Sequence, residues 1–180
     1  VNRLSGTRIN MTHDSPPCTR RLRADVTDAE PRLRAIGSEA SAMRPAPSAW
    51  SPREIVGHLI DSASNNHQRF VRSAWQDDLI FVGYEQDRWV SLQRYQDVAW
   101  DELVDLWAAF NRHLAHVMAS IPAPIRHRVH TRHNLDVVGF RAPSSAQQAT
   151  LDYFMDDYVD HLEHHLRQLL GAAWTPPASG

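Results

Sequence analysis

Residues 150–171, TLDYFMDDYVDHLEHHLRQLLG, decide the fold. The apolar side chains of this stretch recur at the spacing of one helix face, at Leu151, Met155, Tyr158, Leu162 and Leu169. Gly171 lies where a glycine commonly follows the last turn of a helix. The pattern predicts a long amphipathic helix over residues 145–170 that buries this stripe against other helices. Ser145 and Gln148 resemble a capping box at its start.

Working back along the chain, residues 98–120 repeat the same helical spacing. Trp100, Leu103, Trp107 and Met118 lie on its apolar stripe, and Asn111 is a polar residue on the same stripe. We interpret the four apolar residues as core. Asn111 is either a buried, hydrogen-bonded amide or a group that orients a ligand.

Two more helices are predicted towards the N-terminus. In residues 51–75, Ser51 can cap the helix, Pro52 suits the first helical position and Glu54 completes a capping box. An earlier helix covers residues 21–41. Within it, Pro31 marks either a kink or the true start, with Asp28 as the cap.

Four amphipathic helices without a convincing strand pattern predict an all-α, four-helix bundle. A long loop over residues 76–96, rich in aromatic side chains, separates the second and third helices and is expected to pack on the bundle as a lid. Residues 1–20 and 173–180 lack periodicity. We therefore expect a disordered N-terminal tail, a bundle over residues 21–172 and a C-terminal tail.

Composition excludes several classes of function. The formal net charge of -2 and the lack of a basic stripe argue against nucleic-acid binding. A single cysteine, Cys18, cannot form an internal disulfide. No run reaches the about 18 apolar residues of a membrane span, and no leader precedes the bundle. We expect a cytoplasmic protein that does not associate with membranes.

The last predicted helix contains three histidines within five positions. By helical geometry His165 falls on the apolar stripe, His161 falls on its shoulder and His164 points away from it. Residues four apart share one face, so His161 and His165 could reach one metal ion. An inward histidine can equally be a hydrogen-bonded core residue, and the two interpretations remain open at this point.

Other histidines supply one further candidate. His58 lies on the shoulder of the apolar stripe of the second helix, whereas His67 is further round that helix. The remaining histidines are expected to be solvated. His113 and His116 fall on a polar helix face, and the others alternate with Arg, which would repel a metal cation, at His127, His130 and His133.

Three motifs resemble the DinB-like superfamily. They are WSPREIVGHLIDSASNNHQRF at residues 50–70, GYEQDRWV at 83–90 and TLDYFMDDYVDHLEHHLRQLL at 150–170. This superfamily of bacterial four-helix bundles includes mycothiol- and bacillithiol-dependent S-transferases and maleylpyruvate isomerases. The resemblance implies that His58, His161 and His165 are the metal ligands, and that a crossover in the bundle places His58 beside the other two.

The resemblance also frames two hypotheses about function. The first is a metal-dependent enzyme that transfers a low-molecular-weight thiol to a small-molecule substrate, or hydrolyses such a substrate. The second is a non-catalytic metal- or ligand-binding bundle with a stress-related or interaction role. Zinc is the first candidate for the metal and nickel the second, because imidazole suits both. A homodimer is the candidate assembly.

No catalytic residue is assigned from the sequence. Around His58, helical geometry directs Asp61 away and brings Ser62 and Asn65 nearer. Ligating histidines usually have hydrogen-bond partners of their own. Tyr158 and Gln168 are the candidates for that role.

Overall fold

A computed structural model of the protein describes residues 15–178. Its helices are α1 (Pro17–Ile36), α2 (Ser38–Ala42), α3 (Pro52–Ser73), α4 (Gln86–Gln93), α5 (Trp100–Ser120), α6 (Ala123–Arg126), α7 (Leu135–Val138) and α8 (Leu151–Leu170). A short 3-10 helix spans Tyr95–Asp97. Within the described residues, extended segments pair only at two isolated bridges. The predicted all-α fold is confirmed.

Four long helices form the bundle, and their order around it differs from their order in sequence. The main contacts of α1 are with α5 and α8, and the main contacts of α3 are also with α5 and α8. The order of the helices around the bundle is therefore α1, α5, α3, α8. In this order α1 and α3 lie diagonally opposite each other. This arrangement places α3 beside α8.

Apolar stripes of the four helices meet in one core. The largest fully buried side chains include Leu22 of α1, Phe70 of α3, Trp107 of α5 and Tyr158 of α8. Burial of each such side chain stabilises the fold by roughly 1.5–3 kcal/mol. The opposite helix faces are polar, and none of the helices between residues 15 and 178 is long and apolar enough to cross a membrane.

The start of α3 follows the predicted capping box. The Ser51 hydroxyl accepts a hydrogen bond from the backbone N–H of Glu54 at 3.3 Å, and the Glu54 carboxylate accepts one from the backbone N–H of Ser51 at 2.9 Å. Pro52 occupies the first turn. These contacts satisfy two N–H groups that would otherwise lack partners at the helix end.

The start of α8 differs from the prediction. The helix begins at Leu151, and Thr150 caps it by accepting from the backbone N–H of Tyr153 at 3.2 Å. The Ser145 capping box does not form, because Ala149 pairs with His130 through two backbone hydrogen bonds of 2.8 and 3.0 Å. This bridge holds the preceding residues extended.

The first predicted helix is also corrected. α1 begins at Pro17, four residues before the expected start, and Pro31 lies inside it without ending it. Gly37, with a φ of 78°, separates α1 from α2, so one predicted helix is two. Asp28 is not a cap; it lies in mid-helix, where its carboxylate pairs with Arg32.

The two predicted tails have different outcomes. Residues 1–14 of the expected disordered tail lie outside the described residues, and Cys18 is buried on α1. In the C-terminal segment, Trp174 is buried and its indole N–H donates to the Asp28 carboxylate at 2.9 Å. This part of the expected tail therefore packs on α1.

The segment between α3 and α5 was predicted as a long loop, and it contains α4 and the 3-10 helix. It packs on the bundle, with Phe81, Val90 and Tyr95 buried. Tyr95 crosses α3 at Gly57, where an added Cβ would lie 2.1 Å from its ring. The Tyr95 hydroxyl donates to the Asp61 carboxylate at 2.7 Å. Only glycine permits this approach, one residue before His58.

Candidate metal centre

The structure brings together the three histidines that the resemblance predicts. Nε2 of His161 lies 3.1 Å from Nε2 of His58 and 3.1 Å from Nε2 of His165. Two nitrogens bound to one tetrahedral ion at about 2.0–2.1 Å would be about 3.3 Å apart. The spacing therefore fits a single ion. Among residues 15–178, these three form the one cluster of His, Cys, Asp or Glu with suitable spacing.

Helical geometry separates His164 from its neighbours. His161 and His165 lie one turn apart on the inner side of α8, and their ring centroids are 4.7 Å apart. His164 is exposed, as predicted. Its ring lies 5.3 Å from that of Phe140, at the edge of the site.

Ion pairs on another face of α8 fix the orientation of the helix about its own axis. Arg21 of α1 contacts the carboxylates of Asp156, Asp160 and Glu163, each at 2.7 Å. Arg141 binds two of the same carboxylates, those of Asp156 and Asp160. These contacts on neighbouring turns hold the side of α8 that carries His161 towards α3.

His58 is positioned by packing. Its side chain is 1% exposed, and its ring lies 5.1 Å from that of Trp50 and 4.9 Å from that of His165. The contact between α3 and α8 places it opposite the pair on α8. Its Nδ1 has no hydrogen-bond partner in the described part of the chain.

Burial keeps the three imidazoles neutral. Desolvation, followed by the nearby His165, lowers the pKa of His58 to about 3. Burial likewise holds the pKa of His161 well below its usual value, with smaller contributions from His165 and His58. The pKa of His165 is also lowered, chiefly by burial. Neutral imidazole is the form that ligates metal.

Hydrogen bonds to Nδ1 orient two of the rings. Nδ1 of His165 lies 2.7 Å from Oε1 of Gln168, and Nδ1 of His161 lies 3.4 Å from the Ser62 hydroxyl. A proton on Nδ1 of His165 leaves its Nε2 lone pair free. The prediction for Gln168 is confirmed. The one for Tyr158 is wrong, because its hydroxyl donates to Asn111 at 2.6 Å.

Polar groups near His58 point in different directions. The Asp61 carboxylate accepts from Gln93 and Tyr95, each at 2.7 Å, and so faces the loop rather than the histidines, as predicted. The Asn65 amide donates to the backbone carbonyl of Asp61 at 2.9 Å. Of the expected neighbours, only Ser62 hydrogen-bonds to a histidine of the cluster.

A cavity of about 330 Å³ opens beside the histidines. Its walls come from α3, α8 and the segments around α4 and α7. They consist of Ser62, Arg69, Tyr84, Gln86, Val137, Val138, Gly139, Phe140, His161, His164 and His165. The volume is at the small end of the range for ligand sites, about 300–1,000 Å³.

One buried carboxylate holds the cavity wall after α7. Asp157 accepts from the backbone N–H of Phe140 at 2.8 Å and from that of Arg141 at 2.7 Å. The Phe140 ring lies 5.5 Å from that of His161. The sequence does not indicate this contact, since Asp157 resembles an ordinary polar residue that flanks the apolar stripe of the helix.

The expectation of three solvated histidines after α5 is wrong for two of them. His130 is 3% and His133 is 8% exposed. Nδ1 of His130 lies 2.7 Å from the Asp77 carbonyl oxygen, and Nε2 of His133 lies 2.7 Å from that of Gln147. His127 is exposed as predicted and contacts Asp152. The two buried rings therefore hydrogen-bond to loop carbonyl groups and lie outside the cluster of His58, His161 and His165.

Sequence comparisons identify no relative: no family model matches the chain, and no curated protein matches it.

A search of solved structures finds YfiT from Bacillus subtilis, described as a probable metal-dependent hydrolase with an unusual four-helix bundle topology. The TM-score is 0.68 over 94% of this chain and 91% of YfiT, at 16% sequence identity. At this identity the likeness shows a shared fold. The shared fold is the four-helix bundle described above.

Proposed function

We propose that the protein binds one divalent metal ion through Nε2 of His58, His161 and His165, and that it is a metal-dependent enzyme acting on a small molecule. The convergence of three neutral imidazoles beside a cavity carries this proposal, with His58 buried and His161 and His165 half-buried. The lowered pKa values remove the competition between protons and metal at neutral pH. Zinc is the first candidate and nickel the second.

Hydrolysis is the reaction that we favour. A divalent ion held by three histidines would act as a Lewis acid and would lower the pKa of a water or thiol at its remaining position. YfiT, which has the same fold, is described as a probable metal-dependent hydrolase. The Phe140 ring lines the cavity beside His161.

Two side chains near the histidines, those of Gln168 and Tyr84, have roles of their own in the proposed reaction. Gln168 keeps a proton on Nδ1 of His165 and so frees Nε2 for the metal. Burial raises the pKa of Tyr84 to about 12, so its hydroxyl keeps its proton and can donate to a substrate oxygen. Neither group is a general base, and the proposed chemistry assigns none.

Thiol transfer is the second candidate function. It is favoured by the DinB-like motifs at residues 50–70 and 150–170, since that superfamily includes thiol-dependent transferases. A low-molecular-weight thiolate would then serve as the nucleophile with the same three histidines. The cavity has space for a small substrate beside the ligands.

A paired activity screen tests the proposal. The zinc- and nickel-loaded protein is assayed on small ester and amide substrates, and on electrophiles with a panel of low-molecular-weight thiols. We expect turnover that disappears after chelation and in the His161→Ala variant. Metal binding without turnover on either panel would favour a non-catalytic metal-binding bundle.

A further inference from the structure

Among residues 15–178, Arg69 is a buried cation without a carboxylate partner. It lies on α3, its exposed fraction is 6%, and it lines the same cavity as His161 and His165. Its guanidinium donates to the carbonyl oxygen of Val82 at 2.9 Å and to the amide oxygen of Asn66 at 3.4 Å. Both partners are neutral. In the part of the chain that the structure describes, no carboxylate pairs with it.

Other buried cationic contacts in this chain do include carboxylates. Arg126 is 2% exposed and contacts Asp152 at 2.6 Å. Arg21, which is half-buried, contacts three acidic side chains of α8. A buried charge without an opposite charge lowers stability, so such a residue is commonly retained for a ligand.

The surroundings of Arg69 suit an oxyanion. A guanidinium has five N–H donors, and the two described partners of Arg69 leave others for a ligand. Tyr84 lines the same cavity and supplies a hydroxyl donor. The ring of Phe81 lies 5.9 Å from the guanidinium carbon and shields one side of it from water. Donors of this kind bind carboxylate or phosphate groups in a fork-like geometry.

We propose that Arg69 and Tyr84 form an oxyanion subsite in the cavity, which binds a carboxylate or phosphate group of the substrate. The inference rests on the proposed function, because it places the reacting part of that substrate at the histidines. Ser62 and Arg69 are two turns apart on α3, about 10 Å along the helix axis. The substrate is therefore an anionic small molecule that extends within one cavity from the histidines to Arg69.

Calorimetric titration of the full-length protein with inorganic phosphate, and separately with acetate, tests the subsite. The titrations are made before and after loading with zinc, since either anion could also bind the metal. The variants are Arg69→Gln, Arg69→Lys and Arg23→Gln. Arg23 is exposed on α1 and does not line the cavity, so its replacement removes the same charge elsewhere.

We expect at least one anion to bind with and without zinc, and the tighter of the two identifies the oxyanion. Arg69→Gln should weaken binding by about tenfold or more, and Arg69→Lys should weaken it less, since it keeps the charge but loses the fork. Arg23→Gln should leave it unchanged. Binding of neither anion, or equal binding to Arg69→Gln, overturns the subsite.

A stability measurement distinguishes a role of Arg69 in anion binding from a purely structural role. Removal of an uncompensated buried charge should leave the thermal midpoint of Arg69→Met unchanged or raised, while anion binding is lost. A lowered midpoint with unchanged anion binding overturns the proposal.

The measurement of zinc binding tests the proposed function separately from the subsite. A chain that binds no zinc but binds phosphate through Arg69 refutes the proposed function alone, whereas zinc binding with Arg69-independent anion binding refutes the subsite alone.

Discussion

The buried carboxylate of Asp157 accepts hydrogen bonds from two consecutive backbone N–H groups, and the first belongs to Phe140, at 2.8 Å. Through this contact, a residue one helical turn before His161 holds the loop whose aromatic ring lies against that histidine. The histidine cluster and the cavity wall are thus both anchored to α8. Changes in this contact should affect the wall more than the cluster.

Replacement of Asp157 by Ala should therefore loosen the wall. The variant loses two hydrogen bonds to a buried acceptor, and we expect the free energy of unfolding to fall by about 1–3 kcal/mol. Amide hydrogen exchange at Phe140 and Arg141 should become faster, while metal content stays unchanged. Glu39→Ala, at an exposed residue of α2, is the control and should alter neither. Persistent protection of both amides in Asp157→Ala would contradict this account.

A second prediction concerns the packing of Tyr95 on Gly57. A methyl group at this position would lie 2.1 Å from the Tyr95 ring, so Gly57→Ala should lower the free energy of unfolding by about 1–3 kcal/mol. In a Tyr95→Ala background the clash is absent, and the same change should be neutral or stabilising, since Ala favours helix over Gly by about 1 kcal/mol. Chemical denaturation of the four proteins measures the coupling. Additive effects would show that the ring moves away freely.

Local sequence patterns predicted the parts of the fold that depend on neighbouring residues. The capping box at Ser51, the C-terminal Gly171 and the direction of His164 each follow from helical geometry over a few positions. Helix periodicity also placed His161 and His165 on one face. The partner from α3, His58, required the resemblance, because periodicity does not give the order of helices around the bundle.

Features set by distant contacts were missed or misassigned. The start of α8 is set by the bridge between Ala149 and His130, and the burial of His133 depends on a carbonyl group in a separate loop. Nothing in the sequence pattern distinguishes Arg69 from other polar residues of α3. Its isolation becomes visible only once the segment containing Val82 folds over α3.

Buried Asp25 should make the folded state less stable as pH rises from acidic to neutral. Neither carboxyl oxygen has a hydrogen-bond partner among residues 15–178, and burial, followed by the charge of Glu163, raises its pKa to about 7. The folded chain therefore binds a proton more tightly than the unfolded chain does. The free energy of unfolding should fall as pH rises from about 4 through 7 for this group. The Asp25→Asn substitution should raise the free energy of unfolding by roughly 1–3 kcal/mol at pH 8 and should change it little at pH 4. A variant without gain at pH 8, measured by urea denaturation, would contradict the assignment.

The histidine cluster should have the opposite pH dependence. Burial lowers the pKa of His58 to about 3, so the unfolded chain takes up a proton at a higher pH than the folded chain. Neutral His58 therefore contributes to the stability of the metal-free protein above about pH 6.5. This contribution is lost progressively as pH falls towards 3. His58→Gln should show a shallower loss between pH 6.5 and 4.5 in urea denaturation. An unchanged slope would mean that His58 is protonated in the folded state.

Metal stoichiometry of four purified variants tests the central claim most directly. After loading with zinc and removal of free ion, the unmodified chain should hold about one ion, as expected of a single three-histidine site. The variants His58→Ala, His161→Ala and His165→Ala should each lose it. His164→Ala should retain it, with a free energy of unfolding within about 0.5 kcal/mol of the unmodified chain. Loss of metal in His164→Ala with retention in His161→Ala would contradict the assignment.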